Sequence, residues 1–156
     1  MSVVCGAMRR ALATALLVAV AAGGAVAARG ALLPGVETPS RNIGCFYVPI
    51  RPGTHANLLC RIAKAGYANA TQAHCIAQPI GLDWHGFSLP DRGKAQIVCA
   101  GGLMYDARDR PAYVVLAYGR SWHYRAFTCV SRRVGLTCTT RAGHGLFLSR
   151  ASYRLW

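Results

Sequence analysis

The stretch Ala126-Phe-Thr-Cys129-Val-Ser-Arg-Arg-Val-Gly135-Leu-Thr-Cys138-Thr-Thr140 contains two runs rich in Thr, Val and aromatic residues. The short connection Arg132-Arg133-Val134 joins them, and Gly135 can take a left-handed turn or bulge position. If Arg133 and Val134 form the tip, Cys129 lies directly opposite Cys138. Opposed residues of antiparallel strands have the Cβ separation that a disulfide requires. This stretch therefore predicts a disulfide-bonded β-hairpin.

The other cysteines extend the same pattern. Of the seven cysteines, Cys5 lies in an N-terminal export signal. Together with the pair above, Cys45, Cys60, Cys75 and Cys99 give the rest of this short chain an even set of six, which indicates three disulfides. Zinc binding is disfavoured because the chain has no C-x-x-C pair. Cys45 and Cys60 lie on two further β-prone runs and are expected to pair, although this register argument is weaker. Elimination then pairs Cys75 with Cys99.

Short β-prone runs separated by Gly- and Pro-containing turns predict a mainly β fold, a small antiparallel sandwich or barrel stapled by three disulfides. One stretch, Ala63–Ala77, is compatible with a loop or a single short helix. Ala28–Ser40 contains Pro and Gly and is expected to be a mobile leader, with one domain over 41–156. The expected strands are Ile43–Val48, Leu58–Ile62, Ala95–Ala100, Tyr113–Tyr118, Ala126–Ser131, Gly135–Thr140, Gly145–Ser149 and a final one at Tyr153–Trp156.

The first 27 residues have the order of a secretory signal peptide. Met1–Arg10 lacks acidic residues and ends in two arginines, the apolar run Ala11–Ala22 follows, and Ala25-Val-Ala27 is a small-x-small cleavage site. An uncleaved membrane anchor is the alternative, but the run is Ala/Gly-rich and only weakly hydrophobic. We therefore expect a secreted, periplasmic or cell-envelope protein.

The charge of the chain is strongly positive. Removing residues 1–27 takes away two of the 18 basic residues and leaves 16 against five acids, a net charge of +11 on 129 residues. Such a surface attracts polyanions, among them nucleic acid, anionic envelope polymers and anionic lipid headgroups. A general compositional bias toward Arg and Ala is the alternative explanation of the charge.

Several motifs follow one another in an order that resembles a known family. They are Thr38-Pro-Ser-Arg-Asn-Ile-Gly-Cys45, Leu116-Ala-Tyr-Gly119, Phe127-Thr-Cys129-Val-Ser131, Gly135-Leu-Thr-Cys138 and Gly143-His-Gly-Leu-Phe-Leu-Ser-Arg150. The pattern is similar to that of exported bacterial proteins known only as a domain of unknown function. The resemblance implies an envelope or secreted location and six paired cysteines, and it implies no activity. The chain departs from the pattern at His85 and at Ala100-Gly101-Gly102.

Candidate ligand contacts cluster in the sequence around an aromatic segment. Ser121-Trp-His-Tyr124 is flanked by Arg120 and Arg125, so that a base or sugar could stack against Trp122 or Tyr124 beside His123 and a cation. A hairpin tip with partly buried aromatic residues is the alternative. His144, between two glycines, is a candidate ligand or acid/base group, with a turn residue as the alternative. Asp83-Trp84-His85 could hold an imidazole oriented by a carboxylate, but a structural role is favoured for these residues.

The sequence favours a binding or structural module over an enzyme. It contains no G-x-S-x-G, H-E-x-x-H or Gly-rich phosphate loop, and thiol catalysis is disfavoured if every cysteine is paired. No catalytic, cofactor or metal residue is assigned. A small secreted hydrolase of ribonuclease type is one alternative, because basic charge, disulfides and histidines beside arginine are compatible with acid/base cleavage. An inhibitor or partner of another secreted protein is the other.

The signal-peptide assignment makes a direct prediction. N-terminal sequencing of the exported protein should find a chain that begins near Ala28, because the small residues Ala25 and Ala27 fit the cleavage site. A chain that keeps Met1 and fractionates with membranes would show instead that the apolar run is an anchor.

Overall fold

The computed structural model describes residues 31–49, 55–102 and 110–156. Within these ranges the chain forms eleven strands and one helix. The elements are β1 (Leu32–Glu37), β2 (Ile43–Val48), β3 (Asn57–Ile62), α1 (Ala68–Ile76), β4 (Asp83–Pro90), β5 (Gln96–Ala100), β6 (Arg110–Val115), β7 (Ser121–Tyr124), β8 (Phe127–Arg132), β9 (Gly135–Thr140), β10 (Gly145–Leu148) and β11 (Tyr153–Leu155). The expected signal peptide, 1–27, lies outside the described residues.

The strands form two sheets. The first has the order β5-β4-β3-β2-β1-β6 and the second the order β11-β10-β9-β8-β7. Every pairing is antiparallel except that of β1 with β6, which is parallel. The predicted mainly β architecture with at most one short helix is confirmed, and the parallel pair is an addition to the expected antiparallel arrangement.

Side-chain alternation explains how the two sheets share one core. In β8 and β9, Phe127, Cys129, Leu136 and Cys138 are buried, while the residues between them on the opposite face are partly exposed. One cluster of buried side chains joins both sheets, so the sheets pack face to face. Its other main members are Val36, Ile43, Cys45, Leu58, Cys60, Phe87, Leu89, Leu146 and Leu148.

Two disulfides meet at the centre of this core. Cys45 lies directly opposite Cys60 and Cys129 directly opposite Cys138, with Cα–Cα distances of 4.0 and 4.1 Å. The Sγ atoms of Cys45, Cys60 and Cys138 lie within 4.8 Å of one another, so a disulfide of the first sheet packs against one of the second. The third bond, Cys75–Cys99, ties α1 to β5. The three pairings are those expected.

Strand β1 lies where the sequence predicted a mobile leader. Leu32–Glu37 forms a strand between β2 and β6, which buries Leu33 and Val36, and the structure therefore differs from the expectation. Pro34-Gly35 suggested a loop, but the β1–β2 ladder begins only at Gly35, just after the proline. A Cβ at Gly35 would lie 2.6 Å from the carbonyl oxygen of Cys45, so this close approach requires glycine.

Other element boundaries also differ from the sequence-based ones. The helix is confirmed as nine residues, Ala68–Ile76, inside the broader stretch proposed for it. The strand expected at Tyr113–Tyr118 lies at Arg110–Val115, and β4 and β7 were not predicted. β4 was not predicted because a register shift between Trp84 and Phe87 interrupts the alternation of its side chains. β7 was not predicted because it has only four residues.

Among the described residues, no helix is long and apolar enough to cross a bilayer.

An aromatic cluster fills the space beside α1. The Tyr67 ring lies 4.8 Å from that of Tyr153 and 6.1 Å from that of Trp84, measured between centroids. Its buried hydroxyl has no hydrogen-bond partner among the described residues. Burial, with a smaller contribution from Tyr153, raises the pKa of Tyr67 to about 12. The phenol therefore stays neutral at physiological pH, and its role is packing.

The bulge in β4 provides a stability prediction. Gly86 has φ +104°, and a Cβ there would lie 2.2 Å from the carbonyl oxygen of Cys60, whereas Gly93 has φ +106° with its nearest atom 3.8 Å away. Gly93→Ala should lower the free energy of unfolding by about 1–2 kcal/mol through backbone strain alone. Gly86→Ala should cost about 1–3 kcal/mol more because the methyl group also collides with the backbone. Equal losses in urea unfolding of the oxidised variants would contradict this.

Candidate anion-binding site

Connections from both sheets meet at one end of the sandwich and enclose a cavity of about 420 Å³. We call this the cationic end. It is built from the β1–β2 turn, the residues after β3, the β6–β7 connection, the β8–β9 hairpin and the turn after β10. The cavity is lined by Thr38, Ser40, Arg41, Asn42, Ile43, Ala63, Lys64, Tyr118, Arg132, Arg133, Val134, Gly135, Ser149 and Arg150.

Five of the lining residues are cations and none is an acid. The cations are Arg41, Lys64, Arg132, Arg133 and Arg150. Arg41 has a partner outside the lining, since its Nε lies 3.5 Å from Oε1 of Glu37. Within residues 31–49, 55–102 and 110–156, the other four cations form no ion pair. Converging positive charge with so little compensation favours an anion in the cavity.

A compact turn places Arg41 at the rim. The Thr38 amide donates to the Ile43 carbonyl at 2.9 Å, and the Arg41 amide donates to the Thr38 carbonyl at 2.8 Å. The Thr38 hydroxyl oxygen also accepts from the Ile43 amide at 3.3 Å. Arg41 itself has φ +54°, the left-handed conformation, and its side chain is 77% exposed. The turn thus holds the guanidinium in solvent beside the cavity.

Asn42 connects this turn to the segment that carries Lys64. Its Nδ2 donates to the Lys64 carbonyl at 3.1 Å, and its Oδ1 accepts from the Lys64 amide at 2.8 Å. The Gly66 amide then donates to the Arg150 carbonyl of the second sheet at 2.8 Å. These bonds fix three cation-bearing backbone segments relative to one another, so the site is largely formed before any ligand binds.

The β8–β9 hairpin supplies two more cations. Arg132 lies opposite Gly135, which makes Arg133 and Val134 the two-residue apex, as the sequence predicted. The Arg133 guanidinium lies 5.4 Å from the centroid of the Tyr118 ring, a cation–π distance. Val134, at the apex, is 70% exposed. The hairpin therefore presents cations and one apolar side chain at the same end.

The aromatic segment proposed from sequence is divided between the two faces of β7. Trp122 and Tyr124 stack with ring centroids 5.7 Å apart, and Trp122 packs against the core. His123 points to the opposite face, where its Nδ1 lies 3.0 Å from the hydroxyl of Thr128. Strand alternation therefore separates the histidine from the two aromatic rings.

Arg125 and His144 lie at the end of the sandwich opposite the cationic end. The Arg125 guanidinium lies 5.9 Å from the centroid of the Tyr124 ring, and His144 is in the β9–β10 turn, where its carbonyl accepts from the Thr140 amide. His123 and His144 are on backbones three strand spacings apart, about 14 Å. Arg120, just before β7, does not line the cavity. The six proposed ligand residues therefore do not converge on one site.

An acidic side chain and three cysteines that could act as ligands or in catalysis are engaged in structural contacts. Asp83 accepts a hydrogen bond from Gln72 Nε2 at 3.1 Å. Among the described residues, one group of His, Cys, Asp or Glu is close enough to share a metal ion, and its three cysteines are all disulfide-bonded. A disulfide leaves no thiolate to act as ligand or nucleophile.

Sequence reasoning missed the cations of the cavity for a topological reason. Arg41, Lys64, Arg132, Arg133 and Arg150 are spread over more than one hundred positions and belong to both sheets. In the sequence, the sign of a cationic surface was the predicted hairpin connection that contains Arg132 and Arg133. The strand order is needed to bring the others to the same end.

Comparison with known protein families gives a match over residues 13–156 to a family of unknown function, DUF6636. The chain belongs to this family. Comparisons with curated proteins and with solved structures give no match.

The Asn42 bridge gives a testable prediction about the site. Asn42→Ala removes two hydrogen bonds that join segments 22 residues apart and should lower the free energy of unfolding by about 1–2 kcal/mol. Asn57→Ala is a matched control because, among the residues that the structure describes, its side chain bonds only to the carbonyl of His55, two residues away. The control should change by about 0.5 kcal/mol or less. Equal losses in urea unfolding would show that the bridge contributes nothing to the site.

Proposed function

We propose that this member of the DUF6636 family is an exported domain that binds anionic polymers or surfaces through its cationic end. The observation that carries the proposal is the set of five cations around a cavity of about 420 Å³ that no acidic residue lines. Single basic residues on a surface are common. Five exposed cations that converge from both sheets create a positive potential that favours a bound anion.

The neighbouring groups suit phosphate- or sulfate-type oxygens. Arginine presents two parallel N–H donors to such groups, and the cavity is lined by four arginines and one lysine. The volume lies within the range of ordinary ligand pockets. The cavity therefore accommodates one anionic unit, while the exposed arginines at its rim contact the units beside it.

An extracytoplasmic location is part of the proposal. Three disulfides support it because such bonds persist mainly in oxidising compartments. Together with the signal-like residues 1–27, they favour a ligand of the cell envelope or its surroundings. We prefer a binding domain to a ribonuclease-type hydrolase because neither His123 nor His144 lines the cavity, and the His123 Nδ1 lies 3.0 Å from the Thr128 hydroxyl.

Binding to a fluorescent DNA duplex, used as a polyanion of known charge spacing, tests the proposal. The affinity of the disulfide-bonded protein should fall steeply between about 50 and 200 mM salt, because phosphate contacts release counterions. Arg132→Ala combined with Arg133→Ala should weaken binding by about tenfold and make the slope of log affinity against log salt shallower by about 2.

The matched control removes the same charge from the opposite end. Arg125→Ala combined with Arg141→Ala should change the affinity by less than about threefold, since neither residue lines the cavity. Equal losses for the two double variants would mean that binding follows net charge alone. Absence of binding at about 50 mM salt would contradict the function itself.

A further inference from the structure

The apex of the β8–β9 hairpin combines an exposed apolar side chain with surrounding cations. Val134 is 70% exposed and lies between Arg133 and Gly135, at the point where the hairpin turns. Arg132 and Arg133 line the cavity beside it, and Arg150 belongs to the same lining. An isolated exposed valine is ordinary, whereas one at the tip of a cationic end resembles the composition of a membrane-contacting loop.

Tyr118 adds a second feature of the same kind. Its side chain is 38% exposed at the rim, with the Arg133 guanidinium over its ring. Tyrosine is enriched at membrane–water interfaces because its ring is apolar and its hydroxyl is polar. The cationic end thus carries apolar, interfacial and positively charged groups side by side.

We infer that the partner of the cationic end is an anionic lipid bilayer, an inference that rests on the proposed function. Val134 enters the boundary between headgroups and acyl chains, Tyr118 lies at headgroup level, and the cations around the cavity bind lipid phosphates. A soluble anionic polymer would use the cations but would gain nothing from the exposed valine. The apolar apex is therefore the feature that favours a lipid surface.

Ile80 is a second exposed apolar side chain, and the charge of its surroundings differs from that around Val134. Ile80 is 77% exposed, in the segment after α1. It lines a separate cavity with His74, Gln78, Pro79, Leu82, Ile97 and Cys99, and no arginine or lysine belongs to that lining. Ile80 therefore provides a control residue that is apolar and exposed but lacks cationic neighbours.

Co-sedimentation of the disulfide-bonded protein with lipid vesicles tests the inference. Vesicles that contain phosphatidylglycerol should bind the protein, and vesicles of phosphatidylcholine alone should bind it at least about tenfold more weakly, since each basic residue near an anionic surface adds to the attraction. Val134→Ser should weaken binding to the anionic vesicles by about tenfold, because an apolar side chain no longer leaves water. The same variant should lose less affinity for the DNA duplex than for the anionic vesicles, because DNA phosphates contact the cations of the cavity and not the apolar side chain.

Two further variants complete the experiment. Ile80→Ser should leave vesicle binding unchanged. Val134→Trp should strengthen it. When the anionic vesicles are added, its tryptophan emission should shift to shorter wavelength by more than that of the unmodified protein, which has three tryptophans of its own, and the difference reports insertion of the apex. Circular dichroism of each variant checks that the fold is kept, and both substituted positions are exposed.

The outcomes separate this inference from the proposed function. Binding of DNA without binding of anionic vesicles, or equal vesicle binding by Val134→Ser and the unmodified protein, would overturn the lipid partner and leave polyanion binding intact. Equal binding to both kinds of vesicle would also overturn it. Failure to bind either DNA or anionic vesicles would remove the inference together with the function on which it rests.

Discussion

The contact between the two cross-strand disulfides is the constraint on which the rest of the structure depends. Cys45–Cys60 belongs to the first sheet and Cys129–Cys138 to the second, and three of their sulfur atoms lie within 4.8 Å of one another. Each bond fixes the register of one strand pair, and the contact between them aligns the two sheets. In a domain of this size each disulfide contributes about 2–4 kcal/mol, a large part of the total stability.

The register that these bonds impose also determines the candidate site. A shift of one residue between β8 and β9 would turn the side chains of one strand to its other face and move Arg133 away from the apex. The same applies to β2 and β3, whose ends position Asn42 and Lys64 for their reciprocal hydrogen bonds. The disulfides therefore fix the strand register, and this register brings the cations together, although no cysteine lines the cavity.

The sequence predicted what is local and missed what depends on strand order. The hairpin apex and the three cysteine pairs followed from residue types and spacing, and the structure confirms them. β1 escaped because Pro34-Gly35 usually marks a loop, and its place in the sheet depends on parallel pairing with β6, more than 70 positions away. The cluster of residues 120–125 looked like a site because the residues are adjacent in sequence, but strand alternation separates them in space.

Binding of anions among the cations of the cavity can be observed residue by residue in an NMR titration. Inorganic phosphate would be added to the isotopically labelled protein at low ionic strength, and the backbone amide shifts would be followed. We expect saturable changes in chemical shift that are confined to the backbone amides of Arg41, Asn42, Lys64, Arg132, Arg133, Val134 and Arg150. Changes centred on Arg125 and His144 instead, or small changes spread evenly over all arginines, would contradict it.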